Sequence, residues 1–194
     1  MTSRLASLIL RLIGWQAVYA APPGPKSVVV VYPHTSNWDF PLGVLFRAKH
    51  RVPMQWAGKD ALFRWPFGRF FVWLGGVPIN RRQATGMIKQ LVDAFAANEV
   101  LSLCIAPEGT RSKTDHWKTG FYRLALQADV PVGLAFIDYG KKRVGVERWV
   151  RLTGNEESAL ALFRDYYAGI TPRYPGKAGE IRFNRSAEAS AAQP

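Results

Sequence analysis

Val28-Val29-Val30-Val31-Tyr32-Pro33-His34-Thr35-Ser36-Asn37-Trp38-Asp39-Phe40-Pro41 is a β-branched run that stops at a proline and then turns polar. The valines have the character of a buried strand. A strand of that kind delivers the side chains that follow it to the end of a sheet, and in open α/β sheets ligands bind there. Those side chains are His34 and, five residues on, Asp39. A carboxylate beside an imidazole can orient one ring nitrogen and stabilise the imidazolium while the other nitrogen takes a proton. A lone His near a lone Asp is more often structural than chemical, so this stretch alone leaves both readings open.

Downstream, Ser36 with Asp39 three residues later is a helix-capping pattern. Phe40, Val44, Leu45 and Ala48 continue as an apolar face, which places Asp39 in the first turn of a helix. Upstream, Ala21-Pro22-Pro23-Gly24-Pro25 is a linker. Ser3 to Trp15 reads as a helix, with Leu5, Leu8, Ile9, Leu12 and Ile13 at i, i+3, i+4 spacing. Arg11 interrupts that run, which falls short of the roughly 20 residues of a membrane span and fits a signal peptide poorly. Two readings stay open: an interfacial helix lying on a bilayer, or a helix packed on the domain.

The remaining chain alternates strands and helices. Arg51 to Gly58 predicts a short strand. Lys59 to Leu74 carries six aromatic rings with Lys59, Arg64 and Arg69, and Pro66 and Gly68 argue against one smooth helix. It reads as an amphipathic surface facing lipid, with a core segment bearing snorkelling arginines as the alternative. Thr85 can cap a helix with Ile88, Leu91, Val92 and Phe95 on one face. Val100 to Ile105 predicts a buried strand, left through Ala106-Pro107-Glu108-Gly109-Thr110-Arg111-Ser112. Thr119 to Ala128 and Glu156 to Ala168 predict helices. Val130 to Asp138 and Arg143 to Val150 predict strands joined by a hairpin at Tyr139 to Lys142. The expected fold is a single α/β domain over 26–185, a mixed and mostly parallel sheet flanked by helices. An amphipathic N-terminal helix occupies 1–21 and a frayed tail 186–194.

The 194 residues carry 26 Lys and Arg against 14 Asp and Glu, a net charge of +12, and 48% are apolar. That balance excludes a disordered chain and predicts an anionic partner: lipid headgroups, nucleic acid or an acidic carrier protein. Seven Trp, seven Tyr and eleven Phe suit a membrane interface or stacked single-stranded bases. The one cysteine, Cys104, permits no internal disulfide, points to a reducing compartment and reads as a small buried hydrophobe. One Cys and three scattered His make no zinc set, so no metal is expected.

Three strand or turn ends therefore carry polar groups: His34 with Asp39, Asn80-Arg81-Arg82, and Glu108 to Arg111. Arginine grips phosphate with a planar fork, and glycine lets backbone approach a ligand closely. The order and spacing of His34-x-x-x-x-Asp39, Gly76-Val77-Pro78-Ile79-Asn80-Arg81, Pro107-Glu108-Gly109-Thr110-Arg111 and Val130-Pro131-Val132 resemble the glycerolipid acyltransferases, most closely the bacterial lysophosphatidate (1-acylglycerol-3-phosphate) acyltransferases. The resemblance spans Val28 to about Asp138. Pro33 stands where that family often has asparagine, Arg81 follows Asn80 rather than an acid, and Gly133 to Ala135 lack a second proline.

The resemblance implies direct transfer of a fatty acyl group from acyl-CoA or acyl carrier protein to a lysophospholipid hydroxyl, with no cofactor and no acyl-enzyme. His34 would be the general base and Asp39 its orienting carboxylate. Arg81 and Arg111, with Lys59, would bind the acceptor phosphate; Glu108 and Gly109 would shape its pocket, and Thr110 would support the turn. Backbone amides at the helix start after His34 are the expected oxyanion donors. The expected acceptor is 1-acylglycerol-3-phosphate; glycerol-3-phosphate, a lyso-aminolipid or a glycolipid are alternatives. The expected location is the cytoplasmic face of the cell membrane, against an anionic surface. A non-catalytic lipid-binding or nucleic-acid-binding protein is the competing class, and with no RNA or DNA motif in the chain nucleic acid is not expected.

Overall fold

A computed structural model describes residues 2–79 and 84–184. In chain order the elements are α1 (Ser3–Leu12), β1 (Gln16–Tyr19), β2 (Lys26–Val31), α2 (Asp39–His50), β3 (Met54–Lys59), a 3-10 turn (Asp60–Phe63), α3 (Gly68–Trp73), β4 (Gly76–Ile79), α4 (Ala84–Ala97), β5 (Leu101–Ile105), α5 (Gly120–Gln127), β6 (Val132–Asp138), β7 (Arg143–Val150), α6 (Glu156–Tyr167) and a second 3-10 turn (Pro175–Lys177). Among the described residues the strands form one sheet in the order β1-β7-β6-β2-β5-β3-β4. Every pairing is parallel except the β6–β7 hairpin. This is the mixed, mostly parallel α/β sheet that the alternation of elements predicts.

The valine run sits in mid-sheet because helices cover both of its faces. Side chains alternate along a strand. Val28 and Val30 enter a core with Phe95, Phe121, Leu124 and Phe163, from α4, α5 and α6. Val29 enters a second core with Leu10, Leu42, Phe46 and Val146, on the side of α1 and α2. Val28, Val29 and Val30 are at most 1% exposed, and full burial of such a side chain stabilises by about 1.5–3 kcal/mol.

The N-terminal segment differs from its reading. The helix ends at Leu12, Gly14 turns the chain at φ +73°, and Gln16–Tyr19 is an edge strand parallel to β7. Residues 2–21 are thus helix plus strand, and the proline linker joins two strands. A four-residue strand paired to a partner 127 residues away (Gln16 on Arg143) leaves no periodic trace. α1 is capped by Thr2, whose hydroxyl accepts from the Leu5 N–H, and buries Ala6 and Leu10. Its outer face leaves Leu5, Leu8 and Leu12 exposed.

The aromatic segment breaks where Pro66 and Gly68 said it would, into the first 3-10 turn and α3. Its rings divide. Phe63 and Phe71 pack with Trp56, and Phe71 also with Phe40, while Trp65, Phe67, Phe70 and Trp73 face outward. The segment thus has an inner set of rings and an exposed set. α4 is described from Ala84 onward, with Thr85 inside its first turn; the residues before it lie outside the described residues. Arg81, Arg82 and the 186–194 tail lie outside the described residues. No helix among the described residues is long and apolar enough to cross a membrane.

Candidate active site

Four parallel strands present their carboxyl ends at one edge of the sheet. β2 leads to His34, β3 ends at Lys59, β5 leads to Pro107–Arg111, and β6 leads to Tyr139. A cleft of about 890 Å3 opens there, with His34, Asp39, Lys59, Gly109, Thr110 and Arg111 among its lining residues. This is where ligands bind in open α/β sheets, and the volume suits a small to medium organic ligand.

His34 and Asp39 meet. Nδ1 of His34 lies 3.0 Å from Oδ2 of Asp39. That is ion-pair distance once the ring is protonated, yet Nδ1 is buried and not aligned for a straight hydrogen bond. Asp39 is 2% exposed. Its Oδ2 also accepts from the Ser36 N–H at 3.0 Å, and its Oδ1 accepts from the Tyr139 hydroxyl at 2.8 Å. A buried carboxylate held from two directions has one orientation, and that orientation offers Oδ2 to the imidazole. Nε2 of His34 is then the ring nitrogen turned away from Asp39. Burial first, and the Asp39 carboxylate second, push the Tyr139 phenol well above its ordinary 10, so Tyr139 remains a donor.

The capping pattern works differently from its prediction. The Asp39 carboxylate does reach back to the Ser36 N–H, but the Ser36 hydroxyl accepts from Trp38, and the Asp39 N–H donates to the Ser36 carbonyl. Three of the amides expected to stabilise an oxyanion are thereby engaged inside the turn. They are not available donors in this geometry, and Asn37, on the cleft wall, is a nearby polar side chain.

Glu108 also departs from its expected role. It is 2% exposed and does not line the cleft. Its Oε2 accepts from the His34 N–H at 2.7 Å and its Oε1 from the Gly179 N–H at 2.8 Å. The carboxylate ties the histidine loop to the C-terminal segment, and Tyr32 adds a second tie through its hydroxyl to the Gly179 carbonyl. Burial raises the Glu108 carboxyl above its usual value against the lowering effect of both N–H donors. Gly109 has φ +65°, a left-handed conformation that favours glycine, and the Lys118 side chain passes 3.1 Å from where a Cβ would stand. Glu108 therefore positions the motif, while Gly109, Thr110 and Arg111 face the cleft.

Further cations line the same cleft: Arg47, Lys118 and Arg123, together with His116. Sequence reasoning missed all four, and it missed Tyr139. Lys118 and Arg123 sit in and beside a predicted helix, where a charged residue usually means a solvated face. From the sequence Tyr139 reads only as a hairpin residue. Its signal is that it directly follows a buried strand, and in a parallel sheet such ends share one edge. The walls are largely apolar, with Phe40, Val44, Met54, Trp56 and Ile88 among them. Cys104 is on the wall, and burial pushes its thiol up to about 12. It is a protonated, poorly nucleophilic group.

A family model described as Acyltransferase matches residues 18–133. Over 100 residues the chain is 32% identical to a 1-acyl-sn-glycerol-3-phosphate acyltransferase of Cocos nucifera, an alignment covering 49% of this chain and 30% of that protein. The chain thus spans less than a third of that relative's length. The family match includes His34, Asp39, Lys59 and Pro107–Arg111, and ends before Tyr139.

Proposed function

The chain belongs to the acyltransferase family, and on that footing we propose that it transfers a fatty acyl group from a thioester donor to the hydroxyl of a lysophospholipid, 1-acylglycerol-3-phosphate first among acceptors. The observation that carries this reading is the 3.0 Å approach of His34 to a doubly anchored Asp39 in a cleft that also presents Lys59 and Arg111. Nε2 of His34 takes the acceptor's hydroxyl proton as its oxygen attacks the thioester carbonyl. The tetrahedral intermediate collapses, the carbon–sulfur bond breaks, and the imidazolium returns its proton to the thiolate. Asp39 holds the productive tautomer throughout. Arg111 and Lys59 bind the acceptor phosphate, and Arg81, outside the described residues, is a further candidate. The apolar walls take acyl chain.

The donor is acyl-CoA or acyl carrier protein, and the net charge of +12 favours either anion. The working location is an anionic membrane surface on the cytoplasmic side. The test is product identification by mass spectrometry, using both donors against 1-acylglycerol-3-phosphate, glycerol-3-phosphate and a lyso-aminolipid. Phosphatidic acid as the main product supports the reading. A main product from an unphosphorylated acceptor would refute the acceptor assignment, and no acyl product with any pair would refute the activity.

A further inference from the structure

The exposed apolar surface of this protein is concentrated on one side. Among the described residues, the large apolar side chains that are exposed belong to α1 and the turn after it, the head of α2 and the 62–73 segment, with Val100 and Tyr174 as the exceptions. These elements share a face of the sheet. α1 and α2 pack over the core of Val29. The 62–73 segment joins α2 through the Phe40–Phe71 contact, 6.2 Å between ring centroids, and α3's following residue Leu74 accepts from Arg47 Nη1 at 3.2 Å. α4, α5 and α6, across the sheet, expose no large apolar side chain among their described residues. Trp65 is 93% exposed and Trp73 68%. A patch of this kind marks an interaction site.

Charge says what covers it. Residues 2–79 hold nine Lys and Arg against two carboxylates, Asp39 and Asp60, and Asp39 is buried. Arg64 and Arg69 stand exposed among the outward rings. Tryptophan rings interleaved with cations match the headgroup layer of an acidic bilayer, where the rings sit at interface depth and the cations meet anionic lipid. The patch is continuous with the cleft, because Leu62 is 41% exposed and also lines it, beside Lys59 and Leu74. Resting on the lipid-acceptor reading above, we propose that the 62–73 segment, on the same side of the sheet as α1, docks on an anionic bilayer and sets the mouth of the cleft against the headgroups, so that the acceptor enters from the lipid layer.

The test is flotation of the full chain with vesicles of phosphatidylcholine, alone or with about one-third phosphatidylglycerol. The wild type floats with the anionic vesicles and weakly with the neutral ones. Trp65→Ser/Trp73→Ser binds roughly tenfold more weakly, because partitioning scales with apolar area inserted, and Arg64→Glu/Arg69→Glu loses the preference for anionic vesicles. Both keep wild-type turnover on a short-chain acceptor in solution, since none of the four side chains lines the cleft. Flotation needs no turnover, so loss of the proposed activity and loss of docking are read separately. The proposal is overturned if the wild type does not float or if both variants float as it does. It is equally overturned if the ring variant abolishes a concentration-dependent dimer in sedimentation while vesicle binding stays, which would make a second copy the occupant.

Discussion

Tyr139→Phe removes one oxygen and little else. The ring stays against Trp15, 5.0 Å between centroids, and under the Arg173 guanidinium at 5.6 Å. What is lost is the 2.8 Å hydrogen bond to Oδ1 of Asp39 and the weaker interaction of the hydroxyl with the exposed Arg173. A hydrogen bond to a charged group contributes about 1.5–3 kcal/mol net, which lowers the melting midpoint of a domain this size by roughly 3–12 °C. The effect on rate is smaller, because Asp39 keeps the Ser36 N–H. If about half of the bond's worth appears as misorientation of the imidazole, kcat falls roughly four- to tenfold. KM for both substrates stays the same, because Tyr139 does not line the cleft. Tyr139 acts through Asp39, so its effect must vanish when Asp39 is already disabled. Steady-state kinetics of Tyr139→Phe, Asp39→Asn and the double variant, run below the lowest midpoint, read this directly. The double variant should match Asp39→Asn alone. Additive losses in kcat, or a loss confined to KM, would refute the reasoning.

Arg111→Ala should raise KM for a phosphorylated acceptor roughly tenfold with kcat little changed, the modest value reflecting its exposure to solvent; an unphosphorylated acceptor should show no change. Cys104 alkylation should keep accelerating about tenfold per pH unit beyond pH 10, because the thiol ionises only near 12, whereas an ordinary thiol would level off near 9; Cys104→Ser should retain activity, and loss of transfer in that variant would argue for an acyl-enzyme. Glu108→Gln sets an amide NH2 against a backbone N–H and should cost about 1–3 kcal/mol. The pH trend has a definite sign. The folded-state carboxyl is raised above 4.5, so the native state binds more protons in that window, and the favourable contribution is full below 4.5 and lost as pH rises through the raised value. The melting gap between wild type and Glu108→Gln should therefore narrow as pH rises, and a widening gap would contradict the assignment.

The parts of this site that were legible in the sequence are those written locally. A valine run buried on both faces announces a central strand, and the spacing places His34 just before a helix and Asp39 in its first turn. Gly109 beside charged groups announces a strand end near a ligand. What was not legible depends on sheet order. Tyr139 reaches Asp39 only because β6 lies beside β2, and nothing in residues 130–138 says which strand is the neighbour. Glu108 looks like a ligand contact until its two backbone partners, His34 and Gly179, are known to lie on either side of it. β1 was invisible because four residues at a sheet edge are defined by their partner and not by their own pattern. The 62–73 segment was readable as amphipathic, but the division of its rings into inner and outer sets follows from where Phe40 and Trp56 stand.

The role of His34 as the proton acceptor is the point on which everything above depends. Acceptor-dependent thiol release from acyl-CoA, measured for the wild type and for a His34→Ala variant with an unchanged melting midpoint, tests it most directly. Loss of a general base should lower the rate by roughly two to four powers of ten with the acceptor still bound. A folded His34→Ala enzyme that releases thiol at near the wild-type rate would contradict it.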